Sequence, residues 1–224
     1  MEPSKRDEAN IRARRLSTDA IARGEATAWF DPLYLAAQGD ADKVPWADLA
    51  PNPWLVEWLD AQAVSAKGSP AVVVGCGLGD DAEELSRRGH EVVAFDVSPT
   101  AIGWAKERFP ETSVQYRVAD LFDLPGSMEA GFDFVFEAYT IQALPAAVRE
   151  VPIAAVAGLV APGGELLAVM RGGEPEDQTE GPPWPVTRAE LEGYVNAGLL
   201  LDTFDDFMDQ AVRRWRVHYR RPSV

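Results

Sequence analysis

The apolar run Ala71-Val72-Val73-Val74 passes directly into Gly75-Cys76-Gly77-Leu78-Gly79-Asp80-Asp81, and an acid, Asp96, closes the next apolar run twenty-one residues after Gly75. No other feature constrains the chain as tightly. A short β-branched run ending in glycines predicts a buried strand and its turn. The glycines admit positive φ and let a ligand approach without a Cβ in the way. An acid at the end of the second strand is placed to accept hydrogen bonds from both hydroxyls of a ribose. Together the two predict an adenosine-containing cofactor.

The chain beyond this turn alternates. Residues 81–88 read as a helix, 91–96 as a second strand, and 99–109 as a helix stopped by Pro110. Strands follow at 113–120 and 132–139, a helix at 145–160, a fifth strand at 163–170, a helix at 187–196, a sixth strand near 199–207 and an arginine-rich strand at the end. Strands alternating with helices of this length make an α/β fold with a mostly parallel sheet. The gap before the final strand is too short for a parallel crossover, so that strand is expected to run antiparallel to the sixth. Sheets of this kind bind ligands beyond the carboxyl ends of their strands.

Three segments are expected. Residues 1–25 hold good helix formers but few apolar residues, and read as a helical or mobile lead. Residues 26–69 form an aromatic, proline-rich cap: four of the seven tryptophans fall there, at 29, 46, 54 and 58, among prolines 32, 45, 51 and 53. A helix is expected just after Pro53. Residues 70–224 form the core, interrupted by a polar, Pro/Gly-rich loop at 171–186.

Charge narrows the partners. The net charge is -15, distributed as +1 over residues 1–25, -21 over 26–210 and +5 over 211–224. A surface this acidic repels nucleic acid and anionic lipid. The terminal Arg213, Arg214, Arg216, Arg220 and Arg221 alternate with Trp215, Val217 and Tyr219, the pattern of a strand with one buried and one solvated face rather than an RNA contact. One cysteine and two histidines argue against a disulfide and a metal site. No apolar run reaches the roughly 18 residues of a membrane span. The charged start, MEPSKRDEANIRARR, is unlike a signal peptide. We expect a cytoplasmic protein, a monomer or weak dimer, whose partner is a small molecule.

Asp80 selects among cofactors. It occupies the third glycine position of the dinucleotide fingerprint, where a carboxylate suits a pyrophosphate poorly. S-adenosylmethionine carries a sulfonium and an ammonium instead, and Asp80 or the loop carbonyls are candidates for the ammonium. The third strand ends in Ala119-Asp120-Leu121-Phe122: Asp120 is the candidate for the adenine amino group, with Leu121 and Phe122 packing the ring. No P-loop is present. Cys76 reads as inert, and His90 and His218 as surface residues.

Val73 to Asp81, Phe95-Asp96-Val97-Ser98, Ala119 to Phe122, Phe132 to Glu137 and Pro162-Gly163-Gly164-Glu165 resemble the class I S-adenosylmethionine-dependent methyltransferases. Val44-Pro45-Trp46-Ala47-Asp48 resembles the Pro-Trp-Asp segment of plant halide/thiol methyltransferases. Gly181-Pro182-Pro183-Trp184 resembles the Gly-Pro-Pro-aromatic loop of the thiopurine methyltransferase branch. The resemblance spans residues 29–222. It implies a doubly wound, Rossmann-like, seven-stranded sheet with an antiparallel last strand. It also implies cofactor contacts from Gly75, Cys76, Gly77, Gly79, Asp80, Asp96, Val97, Asp120, Leu121, Glu137, Trp29 and Trp46.

Methyl transfer from a sulfonium needs positioning more than acid–base work. A thiol or halide acceptor needs little base help, whereas a hydroxyl or amine needs a proton removed. The catalytic candidates are Glu137 and Tyr139 at the end of the fourth strand and Arg171 after the fifth; Arg171 is suited to orienting an anionic acceptor or lowering a thiol's pKa. Trp46, Tyr139, Arg171, Pro183 and Trp184 are candidate acceptor contacts. Trp29, Phe30, Tyr34 and Trp46 are suited to close over a sulfonium cation. Glu174, Glu176, Asp177 and Glu180 make an acidic gate that disfavours polyanions. The expected activity is S-methylation of a small molecule. An O- or N-methyltransferase is the alternative, followed by an NAD(P)-dependent oxidoreductase and a binding-only homologue.

Overall fold

The computed structural model describes residues 4–62, 66–177, 179 and 181–223. The lead is an 18-residue helix, α1 (Lys5–Ala22). A capping box starts it: the Ser4 side chain accepts the Asp7 N–H, and the Asp7 carboxylate accepts the Ser4 N–H. Its buried face is Ala9, Ala13, Ser17 and Ala20. Small residues at this spacing carry almost no hydropathy signal, yet they let the helix close onto Trp29 and Leu33. Helix α2 (Phe30–Ala37) stops at Gln38, which takes a left-handed φ of 52°. Helix α3 (Pro53–Ala61) begins where expected, with Asn52 as N-cap and proline at the first position.

The core then runs β1 (Pro70–Val74), α4 (Asp80–Arg87), β2 (Glu91–Asp96), α5 (Pro99–Arg108), β3 (Gln115–Val118), β4 (Phe132–Ala138), α6 (Glu150–Leu159), β5 (Val160–Arg171), α7 (Arg188–Asn196), β6 (Leu200–Asp209) and β7 (Val212–Arg220). Three boundaries differ from expectation. The third strand is shorter, because Ala119 onward turns. The helix expected from 145 begins at Glu150, after a 3₁₀ turn over Ala146–Val148. The fifth strand starts earlier, at Val160, with a register shift against Phe132 and Phe134.

The seven strands form one sheet in the order β3-β2-β1-β4-β5-β7-β6. Strands β1 to β5 are parallel, and β7 is antiparallel to both neighbours, β5 and β6. The order reverses between β1 and β4, which makes the carboxyl end of β1 the switch point. Alternate residues of the strands feed opposite faces. Val72, Val74 and Val135 pack under α6 and α7 with Ile153, Val156, Leu191 and Tyr194. Val73, Phe134 and Phe136 pack under α3, α4 and α5 with Leu55, Leu85 and Ile102.

Trp215, Val217 and Tyr219 of β7 are buried, as the alternation predicts. The opposite face is not simply solvated. Arg216 pairs with Asp205 at 2.9 Å and Glu57 at 3.1 Å, and His218 is buried beside Asp202, whereas Arg213 lies on the Trp215 face and pairs with Asp206 and Glu174. Helix α3 and the acids of β6 cover this side, so Arg214, Arg216 and Arg220 are matched within the fold, while Arg221 donates to the Ala157 carbonyl. No helix among the described residues is long and apolar enough to cross a membrane.

Candidate active site

The turn after β1 lies at the switch point, and Gly75, Gly77 and Gly79 all have positive φ, at 61°, 51° and 95°. All three are also crowded, and a Cβ on Gly75 would collide with the Thr140 side chain. A Cβ on Gly77 would stand 3.2 Å from the Tyr34 hydroxyl, and one on Gly79 would collide with the Tyr116 hydroxyl. Tyr34 comes from α2 and Tyr116 from β3, so the glycine turn is walled by the cap on one side and the sheet on the other.

Asp96 ends β2 and is 7% exposed. Its Oδ2 accepts the Gly77 N–H at 3.0 Å and its Oδ1 the Ser98 N–H at 2.9 Å. Burial pushes this carboxyl above its ordinary range, and the two N–H groups pull against that shift. Each carboxylate oxygen retains acceptor capacity after one N–H bond. Val97 follows, partly exposed. Asp120 Oδ1 accepts the Phe122 N–H at 3.0 Å, and its Oδ2 accepts the Thr27 hydroxyl at 3.3 Å. Leu121 beside it is buried.

The two acids of the turn differ. Asp80 forms a bidentate pair with Arg108 of α5, at 2.7 and 2.8 Å, and Arg108 also donates to the Leu78 carbonyl. Its charge is therefore matched within the protein. Asp81 Oδ1 accepts the Asn52 N–H at 2.6 Å. Burial pushes the Asp81 carboxyl up to about 7. Burial also pushes the Cys76 thiol up, consistent with an unreactive sulfur.

The aromatic cap gathers over this turn. Trp29 stacks on Phe30 at 4.0 Å, and Trp46 meets Trp29, Phe30 and Tyr34 edge-on at 5.9, 6.3 and 6.0 Å. Trp46 Nε1 donates to the Tyr34 hydroxyl at 2.8 Å. Trp29 is buried, and its Nε1 has no hydrogen-bond partner among the described residues. Asp31 ties the cap to the core by accepting the Ser98 hydroxyl at 2.6 Å and the Thr100 N–H at 3.0 Å. Burial opposes its charge, but these bonds prevail and hold its carboxyl below the ordinary range.

The other candidates lie beyond β4 and β5. Glu137 is fully buried, and its Oε1 accepts the N–H groups of Thr140 and Ile141 at 2.8 and 2.9 Å. Burial raises its pKa to about 7 against those bonds and the charge of Arg149. Tyr139 follows in a left-handed conformation, φ 63°, with the Arg214 guanidinium 5.0 Å from its ring. Burial pushes its phenol up, opposed by Arg214 and by a hydrogen bond with the Asn52 side chain. The buried Gln142 accepts the Arg171 N–H on its side chain and the Trp184 N–H on its carbonyl. It thereby joins the β4 turn, the end of β5 and the Gly-Pro-Pro-aromatic loop. Arg171 also borders a cleft of about 280 Å³ with Pro185, Met208 and Val212. A second cleft, about 290 Å³, lies between α1 and residues 41–47. Neither cleft includes the glycine turn, which Tyr34 covers. Pro183 is exposed and Trp184 partly so, and Gly181 rests against Arg14 of α1. Of the acidic gate, Glu174, Glu176 and Asp177 are exposed, while Glu180 lies outside the described residues.

Sequence reasoning missed Arg149. It is 1% exposed, donates to the carbonyls of Leu144, Trp184 and Pro185, and pairs with Glu190 at 2.8 Å. It anchors the Gly-Pro-Pro-aromatic loop from beneath. An arginine before a helix carries no local signal of partners 35 to 41 residues away.

The sequence model of the thiopurine S-methyltransferase family matches residues 37–221. The ubiquinone biosynthesis O-methyltransferase of Dechloromonas aromatica (strain RCB) is 33% identical over 141 residues, which is 62% of this chain and 56% of that protein. The alignment thus spans little more than half the length of that relative. The 2-heptyl-1-hydroxyquinolin-4(1H)-one methyltransferase of Mycobacteroides abscessus is 28% identical over 207 residues, 86% of this chain and 84% of that protein. The N-methyltransferase NodS from Bradyrhizobium japonicum WM9, solved with S-adenosyl-L-homocysteine, superposes with a TM-score of 0.67 at 20% identity, covering 86% of this chain and all of that one. That last likeness speaks to fold.

Proposed function

The chain belongs to the thiopurine S-methyltransferase family of class I S-adenosylmethionine-dependent methyltransferases, and from that premise we propose that it methylates a small molecule, with sulfur as the first acceptor atom. The observation that carries the reading is the Asp96–Gly77 arrangement: an acid whose two oxygens each hold one backbone N–H beside a glycine turn, with acceptor capacity left for a ribose diol. The residues present fit S-adenosylmethionine. The absence of a Cβ at Gly77 keeps the backbone of the turn open beneath the Tyr34 hydroxyl, and the buried Trp29 Nε1 has no partner among the described residues.

When bound, S-adenosylmethionine supplies a methyl group on a sulfonium, already activated for in-line displacement. The protein's share is placement. Asp96 holds the ribose hydroxyls, Asp120 the adenine amino group, and Leu121 packs the ring. The faces of Tyr34, Trp29 and Trp46 suit a cation and exclude water from it. Trp184, Pro183 and Arg171 border the acceptor, with Gln142 and Arg149 fixing the loop that carries them. Glu137 and Asp96 already hold backbone N–H groups, which favours an acceptor that ionises without a strong base, as aromatic thiols do.

An oxygen acceptor is the second reading, favoured by the Dechloromonas relative, which is an O-methyltransferase. Calorimetry with S-adenosylhomocysteine and with NAD(H) tests the cofactor. Paired thiol and hydroxyl heteroaromatic acceptors, read out as S-adenosylhomocysteine formed, test the atom. Preference for the hydroxyl partner would overturn the sulfur assignment. Binding of NAD(H) in place of the nucleoside would overturn the cofactor. Tight cofactor binding without turnover over the panel would leave a binding-only protein.

A further inference from the structure

Arg171, the last residue of β5, stands directly opposite Arg214 of β7 in the antiparallel register. Residues so placed share one face of the sheet, with Cβ atoms about 4.5–5.5 Å apart. Like charges at that spacing repel, so the pair weakens the join between β5 and β7 unless an anion is held against it. The face is that of Val169, two residues back, which packs in one cluster with Tyr139 at the end of β4.

The other arginines of β7 show what a satisfied guanidinium looks like in this fold. Arg213 donates to Asp206 at 2.6 Å and to Glu174 at 2.8 Å, and Arg216 to Asp205 at 2.9 Å and to Glu57 at 3.1 Å. Arg214 has no such bond. Its guanidinium lies 5.0 Å from the Tyr139 ring, Asp209 offsets its charge from 3.6 Å, and its buried Nε has no hydrogen-bond partner among the described residues. Arg171 uses only its backbone N–H, on the Gln142 side chain; its guanidinium has neither an ion pair nor a hydrogen bond among the described residues. It lines the cleft of about 280 Å³, where Pro185, Met208 and Val212 supply apolar walls.

The surrounding charges limit what can settle there. Asp209 is the nearest acid to Arg214, and Asp177 lines the cleft with its Oδ2 on the Glu174 N–H. Arg213, on the same cleft, is matched by its own two acids. Unclaimed guanidinium donors among these acids suit one negative charge and disfavour two. A carboxylate is the anion whose planar pair of oxygens fits a guanidinium fork.

We propose that Arg171 and Arg214 together bind a carboxylate carried by the methyl acceptor, so that the acceptor is a small monoanionic acid with an apolar body. The proposal rests on the methyltransferase reading above and names the substrate class that its acceptor side selects. Both arginines determine specificity; neither moves a proton.

Two measurements test it. In the first, benzoate and benzamide are titrated by calorimetry into protein saturated with S-adenosylhomocysteine. Benzoate should bind about tenfold or more tightly than benzamide, the scale of a charge-assisted hydrogen bond. Arg171→Gln and Arg214→Gln should each remove most of that difference, and Arg171→Lys should restore part of it. S-adenosylhomocysteine affinity within about twofold of the wild type shows that each variant is folded. In the second, mercaptobenzoates and hydroxybenzoates are compared with their carboxamides as acceptors, read out as S-adenosylhomocysteine formed. The acids should be preferred about tenfold or more, and Arg171→Gln should raise KM for the acids severalfold. Equal binding of benzoate and benzamide, or a preference that survives in both glutamine variants, would overturn the proposal. Carboxamides turned over as well as the acids, with both dependent on Arg171, would place the thiolate itself at the arginines and also overturn it. Benzoate binding with turnover of neutral acceptors alone would remove the acceptor role and leave the methyltransferase reading standing. If no acceptor of either kind is methylated, that reading falls and this role with it.

Discussion

Asp96 Oδ2 accepts the Gly77 N–H at 3.0 Å, so the acid that ends β2 also braces the turn that ends β1. Removing it acts twice. Asp96→Ala strips a ribose acceptor and leaves two buried N–H groups, those of Gly77 and Ser98, without their partner. S-adenosylhomocysteine affinity should fall at least about tenfold, and stability by about 1–3 kcal/mol. Calorimetry and denaturant unfolding check the two effects; unchanged affinity would remove Asp96 from the site.

Gly79 has φ 95°, and a Cβ there would collide with Tyr116, whose hydroxyl also donates to Glu83 at 2.7 Å. Gly79→Ala should therefore destabilise the fold by about 1–3 kcal/mol through steric strain and a disfavoured φ. Tyr116→Phe in the same chain should recover part of that loss, since it removes the nearest atom. A double variant no more stable than Gly79→Ala would show that φ alone sets the cost.

Glu137 links stability to pH. Its folded pKa of about 7 is above the ordinary 4.5, so between those values the folded state holds more protons than the unfolded one. Stability from this group therefore falls as pH rises from about 5 to 7. Arg149 favours its charged form and Tyr194 faces it, but burial dominates. Glu137→Gln still offers an oxygen to the Thr140 and Ile141 N–H groups. Its melting temperature should exceed the wild type's by about 2–4 °C at pH 8, with the gap closing toward pH 5. A gap that does not change with pH would mean Glu137 does not titrate in this range.

Arg149 holds the loop carbonyls of Trp184 and Pro185 from below. Arg149→Lys keeps the charge but cannot reproduce the several-fold donation of a guanidinium. The acceptor KM should rise severalfold, with S-adenosylhomocysteine affinity unchanged. Equal losses in both would make Arg149 a general support rather than an anchor of the acceptor loop.

What the sequence disclosed and what it hid divide by range. The glycine turn, Asp96 and the bounds of β2 were legible because their signals are local: a β-branched run, its glycines, and an acid at fixed spacing. The helical character of α1 was legible from its helix formers, but its packing was not, because its buried stripe is alanine and serine, whose packing value depends on Trp29 and Leu33 being there to receive it. Asp31, Asn52, Tyr116 and Arg149 were hidden for a related reason. Asp31 meets Ser98 across 67 residues, and Tyr116 meets Glu83 across 33. Composition along one segment cannot reveal a partner on another. The pairing of β7 with β6 followed from a short connection, but the acids that cover its second face did not.

The place of β7 also orders events in time. Strand β6 has no neighbour in the sheet but β7, and β7 is what joins it to β5. During synthesis β1 to β5 emerge first, and all their mutual pairings are available as they leave the ribosome. β6 has nothing to pair with until the residues after it appear, so it can join the sheet only through β7. Until then the edge of β5 stands open, and Trp215, Val217 and Tyr219 are missing from the layer under α6 and α7. The nascent protein can thus acquire its glycine turn and Asp96 well before it closes the sheet that supports the acceptor side.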